Sequence, residues 1–143
     1  YDGDRVMVVY LGKAPNTNAA TTALKINYAV QHIINPAIAA QYGTKIAYNM
    51  KHVVGVDRSS LWVARTGVRG DNDLVWVGRA ANYAAKLTEI ANDDPSFITG
   101  EVFDRLADSA KYKTGTTTSM WRERKWSQMN NMRIYSSNWT WTM

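Results

Sequence analysis

Cysteine is absent from the 143 residues. Its absence excludes a disulfide framework and any zinc site built on thiolates, and it fits a reducing cytoplasm. No uninterrupted apolar stretch comes near the roughly 18 residues that a membrane span needs, and the start does not follow the charged, apolar, small-residue order of a secretory signal. A soluble, cytoplasmic protein with no membrane partner is the expectation. Internal repeats and long low-complexity tracts are also lacking. What is present is a globular composition, 45% hydrophobic and 20% charged, which argues against disorder for most of the chain. The length predicts one domain, residues 1–143, able to bury roughly 70% of the surface exposed by the unfolded chain. Residues 120–143 form a Trp-rich C-terminal segment. The net charge of +5 and pI near 9.5 favour anionic partners, nucleotides and nucleic acids alike. The sequence opens on Tyr1 rather than Met, inside a strand-like run, so an N-terminal portion is expected to be missing.

Arg5 to Tyr10 reads as a strand, and Gly12 to Asn18 as a loop by its Gly, Lys, Pro and Asn content. Ala23, Ile26, Val30, Ile33 and Ile34 recur at helical spacing, with Thr21 or Thr22 as cap. Pro36 predicts a kink in that helix and Gly43 its end. Ile46 to Val56 and Ser60 to Ala64 read as the two arms of a hairpin. The turn-rich run from Thr66 to Asp73 leads into a short strand, Leu74 to Val77. After Gly78 a helix is predicted from Arg79 to about Ile90, with Ala80, Ala84, Leu87 and Ala91 on its packing stripe. A further short helix is predicted from Gly100 to Ala107, capped by Thr99, with Val102, Phe103 and Leu106 inward. Lys111 to Ser119, polar and Thr-rich, reads as a loop or partly disordered stretch, and Arg133 to Trp141 as a strand. Helices interleaved with strands and hairpins predict an α+β or mixed α/β sandwich, helices packed on a sheet.

Few side chains are arranged for chemistry. Asp2-Gly3-Asp4 ahead of an apolar strand offers oxygen ligands to a hard cation, and Asp-Gly is equally the favoured pair of a tight hairpin turn. Asn82 and Lys86 stand four apart on a helix, flanked by Ala81 and Ala85, so an amide and a cation share a face. That face addresses a ligand or is simply solvated. Trp121-Arg122-Glu123-Arg124-Lys125-Trp126 interleaves bases with aromatics, as nucleic-acid surfaces do, or packs its tryptophans on the body and leaves its charges wet. His32 and His52 have no Asp, Glu or Cys at ligand spacing and read as ordinary histidines. No Ser-His-Asp arrangement is legible, and Thr66 to Asp73 matches neither a P-loop nor a dinucleotide fingerprint.

In order along the chain, Gly3-Asp4-Arg5-Val6-Met7, Val54-Gly55-Val56-Asp57 and Val77-Gly78 through Leu87 resemble the Gly-Asp turn, central hairpin and Asn-containing helix of class III nucleotidyl cyclase domains. The wording is most similar to the Pycsar pyrimidine cyclases of bacterial antiphage defence. Tyr1 to Met7, Val63 to Gly70, Asn72 to Leu87 and Ile134 to Trp139 carry that likeness. The resemblance implies a ferredoxin-like α+β domain with an antiparallel-rich sheet. It also implies cyclisation of UTP, or alternatively CTP, to the 3′,5′-cyclic monophosphate with release of pyrophosphate, as a second-messenger synthase. Asp4 matches the second of two aspartates that hold a pair of Mn2+ or Mg2+ ions; the first is expected upstream of Tyr1. Asn82 matches the asparagine that orients the ribose. Lys86 stands where the family has an arginine at the α-phosphate, a point charge in place of a bidentate fork. Val75-Trp76 occupies a base-selecting position without a carboxylate to read a purine amine, and Tyr1 lies near the other such position. The family architecture implies a homodimer with shared sites, Asp4 from one chain meeting Asn82 and Lys86 from the other. Two other readings are a cyclase homology domain that has lost catalysis and serves dimerisation or sensing, and a basic, tryptophan-rich nucleic-acid binder.

Overall fold

The computed structural model describes residues 5–43, 48–67, 73–90 and 93–143. The elements run α1 (Pro15–Ala29), a π-helical turn (Val30–Ile34), α2 (Asn35–Tyr42), β1 (Val54–Val56), β2 (Trp62–Thr66), β3 (Asp73–Val77), α3 (Arg79–Leu87), β4 (Ser96–Thr99), α4 (Gly100–Asp104), α5 (Asp108–Lys111), β5 (Arg122–Trp126), a 3-10 turn (Ser127–Met129) and β6 (Met132–Ser137). Four strands form one sheet in the order β1-β4-β6-β5, and β2 pairs with β3 in a separate two-stranded sheet. β1 and β4 are parallel; β4–β6, β5–β6 and β2–β3 are antiparallel. This is the expected α+β fold with a mostly antiparallel main sheet.

Alternation along β4 and β6 divides the core in two. Phe97 and Ile134 point to one face, where they join Leu87 of α3 and Trp126. Ile98 and Tyr135 point to the other, packing with Ala20 and Leu24 of α1, Val102 of α4, Ala110 of α5 and Trp121. α3 therefore covers one face of the sheet, and α1, α4 and α5 cover the opposite one. The seat of α3 on β1 depends on Gly55. A Cβ there would lie 2.1 Å from the carbonyl oxygen of Ala84 and 2.8 Å from Leu87 Cβ, so only a bare backbone lets the helix come this close.

Several local expectations are corrected. Arg5 to Tyr10 forms no strand: beyond an isolated bridge at Arg5 the segment has no ladder, and Val6, Met7 and Val8 are exposed. The first helix starts at Pro15 rather than at Thr21 or Thr22, because proline at the first helical position loses no hydrogen bond; the loop is confined to the residues before it. Pro36 lies inside continuous helix. The backbone accommodates it by widening to a π turn, in which the Asn35 N–H reaches the Val30 carbonyl, and α2 ends at Gly43 as expected, with φ 58°. The proposed hairpin of Ile46–Val56 with Ser60–Ala64 does not form. β1 instead pairs with β4 and β2 with β3, while Lys45, Ile46 and Ala47 lie outside the described residues.

α3 ends at Leu87, short of Ile90, and Ala91 lies outside the described residues. α4 ends at Asp104 rather than Ala107. Thr99 precedes α4 but makes no cap; its hydroxyl donates to Asp57 instead. Lys111 belongs to α5, and Tyr112 bridges to Ser119 across the expected loop. The final strand stops at Ser137. Beyond it the chain is held to α1 by two hydrogen bonds from buried Asn27 Nδ2 to the Asn138 and Trp139 carbonyls, 2.9 Å each, and by Trp141 N–H to Leu24 O at 3.1 Å.

Candidate active site

α3 is nine residues long and strongly two-sided, with Ala80 and Leu87 buried against the sheet. Asn82 and Lys86 are exposed on the other side, one helical turn apart as their spacing requires. Both side chains are thus presented to solvent by a helix whose opposite face is anchored. Val75 and Trp76 lie immediately upstream on β3, in register with Ala64 and Val63 of β2. Val75 is 41% exposed and Trp76 is half-buried. Asn82, Lys86, Val75 and Trp76 therefore occupy one continuous strand-to-helix unit through Gly78. A Cβ on Gly78 would meet Leu61 at 2.7 Å and the Ser60 carbonyl oxygen at 2.9 Å, so glycine lets the chain turn from β3 into α3 against the preceding loop. Tyr1 and Asp4, the other two expected site residues, lie outside the described residues.

The start of α3 is secured by groups that sequence reading did not single out. Ala80 N–H donates to Ser59 Oγ at 2.9 Å. The Arg79 guanidinium donates to both carboxylate oxygens of Glu101, at 3.0 and 2.7 Å, and to the Arg58 carbonyl at 2.8 Å. Its Nε lies 3.5 Å from the fully buried carboxylate of Asp57, which also accepts a 2.6 Å hydrogen bond from Thr99. The hydrogen bond to Glu101 raises the Arg79 pKa above its ordinary value, and the same bond holds the Glu101 carboxyl below its own. Asp57, Arg79, Thr99 and Glu101 line a cleft of about 180 Å³ together with Asp104 and Arg133. Its acids are matched by arginines, Arg133 pairing with Asp104 as Arg79 does with Glu101. Among the described residues no group of three or more His, Asp or Glu is arranged to hold a metal ion. The described residues alone do not make a metal centre.

The basic, aromatic run from Trp121 to Trp126 is settled by burial. Residues 122–126 form strand β5. Trp121 and Trp126 are 3% and 4% exposed; Trp121 Nε1 donates to the Ala110 carbonyl at 2.8 Å, and Trp126 meets Tyr83 edge-on at 6.0 Å. Arg122 and Arg124 turn onto the buried carboxylate of Asp94, to which Ser136 also donates at 2.6 Å. Burial alone would raise the Asp94 pKa, but the hydrogen bonds from Ser136 and Arg124 and the two guanidinium charges outweigh it and hold the carboxyl below the usual range. Rings that fill the core cannot stack on bases, so this segment is structural. Of the histidines, His32 lies against Tyr28, and burial lowers the pKa of His52.

No family model matches the chain. It is 53% identical, over all 143 of its residues, to a uridylate cyclase of Burkholderia cepacia, covering 60% of that protein. A uridylate cyclase of Xanthomonas perforans is 52% identical over 99% of this chain and 59% of its own length. One from Rhodovulum sp. (strain MB263) is 34% identical over 96% of the chain and 59% of its own length. The chain is thus similar, over essentially its full length, to proteins named uridylate cyclase. It spans about three fifths of the length of these relatives. The shared stretch includes the whole unit from β3 through α3, and thus Val75, Trp76, Asn82 and Lys86. Among the described residues no helix is long and apolar enough to cross a membrane.

Proposed function

We propose that the protein is a pyrimidine nucleotide cyclase that converts UTP, with CTP as the alternative substrate, to its 3′,5′-cyclic monophosphate and pyrophosphate. The observation that carries this reading is the exposed Asn82–Lys86 face of α3, in a chain similar to uridylate cyclases over its whole length. In the reaction the ribose 3′-oxygen attacks the α-phosphorus, the bond to the β-phosphate oxygen breaks, and the 3′-hydroxyl proton is lost. The roles assigned to this chain are positional and electrostatic. The Asn82 amide would hold the ribose so that its 3′-oxygen faces the phosphorus. The Lys86 ammonium would neutralise negative charge on the α-phosphate as the new bond forms. Val75 and Trp76 would meet the base with apolar and aromatic surface, in keeping with a pyrimidine.

A Mn2+ or Mg2+ pair bound through Asp4, which lies outside the described residues, would polarise the α-phosphate. The proposed assembly is a homodimer with shared sites. Its support is the β2–β3 hairpin, which leaves Trp62 80%, Leu74 56% and Val77 55% exposed, more apolar surface than a small hairpin ordinarily leaves in water. The proposed setting is the cytoplasm, and the proposed role is second-messenger synthesis in antiphage defence, which the resemblance to Pycsar cyclases implies.

The test is to incubate the full-length protein with Mn2+ and each nucleoside triphosphate separately and to identify products by mass spectrometry. Cyclic UMP from UTP supports the proposal. Absence of any cyclic nucleotide overturns it in favour of an inactive cyclase homology domain. Lys86→Ala is expected to lower kcat about 100-fold with a smaller change in KM, and Asp4→Ala to abolish turnover with the circular-dichroism spectrum unchanged. With shared sites, mixing these two variants gives heterodimers with one intact site each and about half of normal activity per heterodimer. Verified heterodimers without rescue would place each site within a single chain.

A further inference from the structure

The first turn of α3 has no cap of its own, because the residue before it is Gly78 and no side chain can fold back from there. A nine-residue helix is too short to set its own position, so its direction depends on what holds its two ends. Leu87 seats the C-terminal end in the core. At the N-terminal end Arg79 ties the helix to two other segments: Glu101 on α4, and the loop just after β1, where it meets Asp57 and the Arg58 carbonyl. The two acids differ in a useful way. Glu101 is half-exposed, whereas the Asp57 side chain has no exposed surface, and its Oδ2 makes no hydrogen bond of its own. The nearby guanidinium balances that buried charge, and Thr99 orients the other oxygen. Removing Arg79 would leave a buried carboxylate uncompensated, which gives the arginine a strong preference for one place.

Arg79, Asn82 and Lys86 fall at positions i, i+3 and i+7, so they lie along one side of α3. Lys86 stands about 10 Å along the axis from Arg79. A tilt of about 6° at the start of the helix would therefore displace the ammonium-bearing residue by about 1 Å, enough to cost a large part of a rate that depends on alignment.

We infer that Arg79, clamped by Asp57 and Glu101, is a positioning residue for nucleotide cyclisation: it sets the direction in which α3 presents Asn82 and Lys86. The inference rests on the reading of α3 as the substrate-facing helix. In the full-length enzyme with Mn2+ and UTP, Glu101→Gln and Arg79→Gln should each lower kcat, Arg79→Gln about tenfold or more, with KM changed less than about twofold. Arg79→Lys should recover only part of that loss, because an ammonium cannot bridge both acids as the planar fork does. Amide hydrogen exchange gives a readout independent of activity. The α3 amides should exchange about tenfold faster in Arg79→Gln, while the β6 amides keep wild-type protection. Unchanged exchange in α3, or a kcat loss no larger than the fall in folded fraction, would overturn the positioning role. If exchange in α3 rises but Asn82→Ala and Lys86→Ala leave turnover intact, the clamp holds a helix that does no catalysis. The role would then fall together with the substrate-facing reading, and the exchange data would tell that failure apart from failure of the clamp.

Discussion

The β2–β3 hairpin is built from more apolar residues than the strands of the four-stranded sheet, yet it is the sheet that is buried. All four residues of β4 are buried, and so are the last four of β6, because helices lie on both faces. Every residue of β2 is exposed. Register places Trp62, Val75 and Val77 on one face of the hairpin and Val63, Leu74 and Trp76 on the other, so neither face is the polar one that a solvated two-stranded sheet would show. An isolated two-stranded hairpin is marginal in water. The main sheet is covered by this chain's own helices, whereas the apolar residues of the hairpin stay exposed, the observation on which the proposed dimer rests.

The sharpest way to break this comparison is to make the same type of truncation in each region. Phe97→Ala, at a residue with no exposed surface, should destabilise the fold by about 3–5 kcal/mol in urea denaturation. A smaller loss is expected from Asp94→Asn, which removes the charge that gathers Arg122, Arg124 and Ser136 at the sheet. Because both arginines keep partial access to water, the cost should be about 2 kcal/mol, below that of a fully buried pair. The pH dependence follows from the direction of the Asp94 shift. Its folded pKa is depressed, so its stabilisation is fully present above the unfolded carboxylate range near pH 4. It is lost as the pH falls through the lower folded value. The urea midpoint of the wild type should therefore fall below about pH 4, and Asp94→Asn should show a shallower decline. Smallest in stability is Trp62→Ala on the hairpin. It should change the unfolding free energy of the monomer by no more than about 0.5 kcal/mol, yet shift the full-length protein from dimer towards monomer in sedimentation. A large loss of monomer stability would mean that the hairpin is held by its own chain after all.

The same contrast explains which parts were legible. The β3–Gly78–α3 unit was readable from local signals, since a short apolar strand, a glycine and a stripe of alanines each act within a few residues. It is also where Asn82 and Lys86 came out on one exposed face. β4 left no such signal. Buried on both faces, Ser96-Phe97-Ile98-Thr99 has neither alternation nor length to mark it as a strand. β5 is hidden for the opposite reason: its charges read as a solvated tail, and only the fold brings Asp94 beside Arg122 and Arg124. The supposed hairpin of β1 with β2 failed because neighbours in sequence need not pair once a parallel partner, β4, lies across a helical crossover.

What the sequence by itself determined is therefore local: the turn into α3, the face that helix shows to solvent, the apolar strand before it, and the end of α2 at Gly43. Tertiary structure alone decided that Gly55 would seat α3, that the tryptophans at 121 and 126 would fill the core, and that Arg79 would meet Asp57 and Glu101, 22 residues away from each. The reason is the range over which each force acts. Helix periodicity and turn chemistry operate between near neighbours, whereas pairing a buried charge or filling the space under a helix requires groups that only the folded chain brings together.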